Sequence, residues 1–222
     1  MKRTNRAAPP NLDQEDELLL QGHEFIAGID EAGRGALAGP VVAAAVILPS
    51  RNHPIWLGLV RDSKQLSPGR RQLLFDLISR EAVAVGVGRI GAQVIDSINI
   101  LEATKMAMTK AVEGLRRQPS FLLIDSVTLR QCPTPQRGIT GGDRRCSSIA
   151  CASIVAKVTR DHIMKEFSES YPGYGFARHK GYGTREHILS LRQLGPSPVH
   201  RLSFAPLRML SARQFPCRGE ER

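Results

Sequence analysis

Between Pro40 and Pro49 the chain reads VVAAAVIL, eight residues without one polar side chain. A short valine- and isoleucine-bearing run closed at both ends by proline suits a buried strand. It is far too short to cross a bilayer, which takes about 20 helical residues. Just upstream, FIAGID (25–30) is a second apolar run, and GRG (33–35) turns the chain between the two. The pair therefore reads as two strands joined by a turn that carries Arg34.

The text then alternates. SPGRRQLLFDLISREA predicts a helix with Ser67 as N-cap, Pro68 at the first helical position and Leu73, Leu74, Leu77 and Ile78 on one apolar face. VAVGVGRIG reads as a strand. AQVIDSINILEATKMAMTKAVEGLRR places Ile98, Leu101, Met108, Val112 and Leu115 at helical spacing and ends in a basic turn, as the helix dipole prefers. SFLLIDSV is another short strand, ending in Asp125. In SSIACASIVAKVTRDHIMKEF the small residues Ala150 to Ser153 let a helix pack closely on a sheet, and shorter helices follow at TREHILSLRQL and APLRML. This order predicts an α/β domain: a mixed β-sheet flanked by helices, followed by a helical C-terminal segment. Residues 1–22 read as a partly flexible N-terminal tail ending in a short helical segment, 23–211 as a single domain, and 212–222 as a C-terminal tail.

Lys and Arg number 31 against 21 Asp and Glu, a formal charge of +10 that favours polyanionic partners such as nucleic acid. The four cysteines show no C-x-x-C spacing, which supports neither a zinc site nor a disulfide framework. The N-terminus lacks the apolar core of a secretory signal. A cytoplasmic protein without membrane association is the resulting expectation, with a monomer as the default.

Against that positive background, bare acids at strand ends call for explanation. Asp30 and Glu31 are adjacent at the end of the first run, Asp125 ends another, and Asp143 follows the glycine turn ITGG. Ligands gather beyond the carboxyl ends of strands in open α/β sheets, where Asp30 and Asp125 would meet if their strands are parallel neighbours. Clustered carboxylates stay ionised only if a cation compensates them. Hard divalent ions with oxygen ligands fit that need, and a pair of them serves phosphodiester hydrolysis. A single Asp at a strand end is ordinary turn chemistry; the adjacent pair carries the metal reading. Residues 33–38 also satisfy G-x-G-x-x-A, the dinucleotide-binding pattern. Here, however, the pattern runs into Pro40 and a β-branched strand instead of a helix, and the acids would repel a pyrophosphate.

GIDEAGRG with LAGPVVAAAV, then DSKQLS, NILEATKMAM, LLIDS, GGD, ASIVAKVTRD, HKGYGT and HRLSF, taken in this order, resemble the ribonuclease HII family over about Phe25 to Arg208. The resemblance implies an RNase H-like fold with a C-terminal helical extension. It implies hydrolysis of the RNA strand of RNA–DNA hybrids and nicking 5′ of single ribonucleotides in duplex DNA, leaving 3′-hydroxyl and 5′-phosphate ends. Asp30, Glu31, Asp125 and Asp143 become the catalytic acids, holding two Mn²⁺ or Mg²⁺ ions. Gly33, Arg34 and Gly35 become the ribose-reading turn, and Tyr182 the aromatic that stacks on the next sugar. Lys64, Lys180 and Arg201 are expected on substrate phosphates. The sequence departs from the family pattern at Gly141, where many relatives carry lysine, at Ser126, where glycine is frequent, and at Gln65, where a second lysine is common. The stretch before Phe25 lacks room for the extra N-terminal domain of the sister type, ribonuclease HIII. With all four acids present, a binding module without catalysis is the weaker reading.

Overall fold

The computed structural model describes residues 8–50 and 52–209. The expected C-terminal tail, 212–222, lies outside them. Five strands, β1 (Ile26–Ala32), β2 (Val41–Ile47), β3 (Ala84–Ile90), β4 (Phe121–Asp125) and β5 (Gln136–Ile139), form one sheet in the order β3-β2-β1-β4-β5. β2 runs antiparallel to both β1 and β3, whereas β4 runs parallel to both β1 and β5. Among the described residues six α-helices are bounded: α1 (Asp13–Leu20), α2 (Pro68–Glu81), α3 (Ala92–Glu113), α4 (Ser147–Ser170), α5 (Phe176–His179) and α6 (Arg185–Leu194).

The Pro40–Pro49 run becomes β2, and all seven of its strand residues are buried. Side chains alternate between the faces of a strand, so Val41, Ala43, Ala45 and Ile47 pack with α3, while Ala44 and Val46 pack with α2 and α4. The small residues of α4 let it lie directly on β1. At Gly28 a Cβ would drive into the backbone of Ser148 and Ile149, so glycine there is a condition of the packing.

Ser67 caps α2 as expected, its Oγ accepting from Arg70 N–H at 3.4 Å, and Leu74 and Ile78 are buried beneath it. Leu73 instead faces solvent. The long helix is interrupted at Asn99, which stands at φ 68° while its Oδ1 accepts from the N–H groups of Leu101 and Glu102. This internal cap restarts the helix in a new phase and leaves Leu101 exposed. β5 was not foreseen: its four residues, QRGI, carry no apolar alternation. At the start of the described chain, α1 docks on the domain through fully buried Leu18, and Glu15 accepts from Ser148 N–H at the N-terminus of α4 at 2.8 Å. Cys132, Cys146 and Cys151 are free thiols. Among the described residues no helix is long and apolar enough to cross a membrane.

Candidate active site

Register brings the acids together. Ile29 of β1 sits opposite Ile124 of β4 in a parallel pair, so the next residues, Asp30 and Asp125, stand side by side where the pairing of these two strands ends. Ile29 and Ile124 point to the α3 face; period two then turns both aspartates toward α4. Asp143 arrives from β5 through Gly141, a left-handed residue at φ 65°, and Gly142. Gly142 N–H donates to Asp125 Oδ1 at 2.9 Å, and a Cβ on Gly142 would come within 2.6 Å of Ile149.

The resulting cleft has a volume of 490 Å³, and Asp30, Glu31, Asp125, Asp143, Gly33, Arg34, Gly35, Lys64 and Tyr182 all line it. Ser63, Ser153 and Lys157, not singled out in the sequence, line it too. Lys180 does not: its Nζ donates to Ala177 O at 2.6 Å, and it lines a neighbouring groove with Lys157 and Lys165.

Arg201 stands apart from the expected phosphate contacts. Expected on a substrate phosphate, it is fully buried, with its guanidinium on the carbonyls of Gly33, Arg34 and Gly39. A guanidinium enclosed by main-chain carbonyls cannot also reach a solvent-side phosphate.

The electrostatics match a cation site. Asp30 is only 5% exposed, and burial, with Glu31 and Asp125 close by, pushes its carboxyl well above the usual range. Burial also raises Glu31, partly offset by Arg34 at 3.2 Å, and raises Asp143, with Asp62 and Asp125 adding to the effect. Glu31 Oε2 is buried without any hydrogen-bond partner, which is costly for a carboxylate oxygen. Among the described residues no trio of His, Cys, Asp or Glu already stands in metal-ligating geometry. The donor set is nevertheless all-oxygen, charge-crowded and partly orphaned, as a hard divalent ion requires.

Ser126 explains one departure from the family pattern. It stands at φ 60°, a backbone that favours glycine, and its Oγ donates to Asp125 Oδ1 at 3.1 Å. Nothing in the structure explains Gln65.

Behind Tyr182 lies a buried histidine relay. Ser197 N–H donates to His200 Nδ1 at 2.9 Å, so His200 Nε2 carries the proton toward His187 Nε2 at 3.0 Å, and His187 Nδ1–H in turn faces Tyr182 O at 3.0 Å. Gly181 N–H donates to His179 Nδ1 at 3.2 Å. No local sequence signal foretold this relay, because its members come together only when the C-terminal segment folds.

A mixed five-stranded sheet with helices on both faces, carrying an acid-lined cleft at the ends of its parallel strands, defines a hydrolase of the RNase H-like class. The comparisons sharpen that class. The family model described as Ribonuclease HII matches residues 27–207. A ribonuclease HII from Dehalococcoides mccartyi is 53% identical over 199 residues, covering 90% of this chain and 94% of that protein. One from Desulfitobacterium hafniense is 54% identical, covering 88% and 74%. The crystal structure of ribonuclease H2 from Pyrococcus horikoshii superposes with a TM-score of 0.70 at 26% identity, covering 85% of this chain and 98% of that one. The chain belongs to the ribonuclease HII family, endonucleases of the ribonuclease H type that act on RNA–DNA hybrids.

Proposed function

We propose that this protein, beyond cutting the RNA strand of hybrids, nicks duplex DNA on the 5′ side of a single embedded ribonucleotide, leaving 3′-hydroxyl and 5′-phosphate ends. One observation carries the reading: Glu31 holds a buried, partnerless carboxylate oxygen in the same cleft as Asp30, Asp125, Asp143 and the Gly33–Gly35 turn. Asp30, Glu31, Asp125 and Asp143 would hold two divalent ions, Mg²⁺ or Mn²⁺. The chemistry such ions supply is activation of the attacking water and charge compensation at the departing 3′-oxygen. The chain's own residues do the rest. Gly142 N–H fixes the rotamer of Asp125, and the Glu31 N–H holds Asp30 Oδ1 at 2.7 Å. Lys64 and Lys157 line the cleft wall, where Lys64 would face the negative strand and Lys157 is paired with Asp161 at 2.6 Å. Tyr182 presents an exposed ring to a sugar face.

The test is a duplex carrying one ribonucleotide, incubated with Mg²⁺, with Mn²⁺ and with chelator. A single nick 5′ of the ribonucleotide, abolished by chelator, is expected. Cleavage of an all-DNA control, or metal-independent cutting, would refute the reading.

A further inference from the structure

Among the described residues, Arg160 of α4 and Arg201, beyond α6, are the largest side chains with no solvent exposure. Neither has a carboxylate at ion-pair distance among the described residues. A buried charge without a counterion is expensive, so each guanidinium must satisfy its donors otherwise. It does so on main-chain carbonyls. Arg160 donates from Nε to Pro40 O (2.9 Å), from Nη1 to Lys180 O (2.9 Å) and from Nη2 to Ala38 O (3.0 Å). Arg201 donates from Nε to Gly39 O (3.0 Å), from Nη1 to Arg34 O (2.8 Å), and from Nη2 to Gly33 O (2.8 Å) and Gly39 O (2.9 Å).

The consequence is geometric. In a trans peptide the C=O and N–H of one plane point in opposite directions. Gly33 C=O shares its plane with Arg34 N–H, and Arg34 C=O with Gly35 N–H. Because Arg201 draws both carbonyls inward, both N–H groups are turned outward. Neither is a donor in any hydrogen bond among the described residues, and both residues line the acid cleft. Arg160 meanwhile ties the same segment to the Tyr182 turn: it holds Lys180 O, and its guanidinium lies 5.3 Å from the centre of the Tyr182 ring. The two arginines thus fix two walls of the cleft relative to one another.

The glycines of the turn divide accordingly. Gly33, at φ 92°, is glycine because a Cβ would run into the Arg160 guanidinium from behind. At Gly35 a Cβ would meet no protein atom within 4 Å, so that side of the turn is open.

The geometry points to Arg201 and Arg160 as positioning residues for ribose selection. They aim the Arg34 and Gly35 N–H groups at an acceptor oxygen on the substrate sugar and hold the Tyr182 ring at a fixed distance from them. This rests on the function proposed above. The probe is a pair of duplexes, all-DNA and the same sequence with one ribonucleotide, bound to an Asp125→Asn background that does not turn over. Arg201→Lys keeps the charge but loses the planar fork. It is expected to lower the preference for the ribonucleotide duplex at least about tenfold, with all-DNA affinity changed less than about twofold. A folded Arg201→Lys protein with undiminished preference would overturn the inference. The unsubstituted chain supplies an independent measurement: in amide NMR, the Arg34 and Gly35 N–H signals should move on adding the ribonucleotide duplex and stay put on adding the all-DNA one. Identical responses to the two, in a protein that still discriminates between them, would also overturn the inference. If the unsubstituted chain shows no preference at all, the function reading fails first.

Discussion

Replacing Asp30 by Asn separates a structural acid from a functional one, because the two readings predict stability changes of opposite sign. Asn keeps the shape and can still accept the Glu31 N–H, now 2.7 Å from Asp30 Oδ1. What it removes is a buried charge beside Glu31 and Asp125, both of which push the Asp30 carboxyl upward. Two unit charges interact by roughly 4 kcal/mol at 4 Å, and by about half that at 8 Å, for an effective dielectric constant near 20. Partial protonation already relieves some of this, so a gain of about 1–3 kcal/mol at pH 7 without divalent ions is expected. For a chain of this size that is a rise of roughly 2–12 °C in melting temperature. Activity on a hybrid in Mg²⁺ or Mn²⁺ should fall at least about a thousandfold. Thermal denaturation in chelator, paired with a cleavage assay, reads both. A variant that melts lower than its parent would show that Asp30 is a satisfied structural acid, and the site argument would fail with it.

Gly28→Ala would force α4 off β1, since the new methyl overlaps the Ser148 and Ile149 backbone; a loss of about 3 kcal/mol or more is expected, and an unchanged melting curve would contradict the packing described. His200 is held down to about 4 by burial first and by neighbouring His187 second. The unfolded chain takes up a second imidazole proton below pH 6.5, so this contribution is complete above 6.5, declines as pH falls toward 4, and amounts to at most about 3 kcal/mol. The difference between parent and His200→Gln melts across pH 4–7.5 isolates it from the cleft acids, which act in the opposite sense; a pH-independent difference would refute it. Tyr182→Ala should leave folding nearly intact, as the residue is 37% exposed. It should also cut nicking at single ribonucleotides more than at continuous hybrids, and equal losses on both substrates would remove its stacking role.

Local physics made much of this protein legible in one dimension. β1, β2 and β4 announce themselves because a strand buried on both faces must be almost wholly apolar. The four cleft acids stand out because ionised groups at the ends of such strands need a reason to be there. Family motifs supplied Tyr182 and the glycine turn, and the cleft does contain them. β5 stayed hidden because a four-residue strand with two polar side chains lacks periodicity. The break at Asn99 was hidden for a related reason: an internal cap uses a residue that helices tolerate in either role.

Arg201 marks the boundary between the two kinds of information. In HRLSF an arginine reads as a charge for solvent or phosphate, since nothing nearby could take it inside. Only the folded chain brings the carbonyls of Gly33, Arg34 and Gly39 from more than 160 positions away to receive it. Composition and local pattern determined the layers, the strands and the acids. The direction in which a buried cation faces, and with it the outward aim of two backbone N–H groups, depends on acceptors that no window of sequence contains.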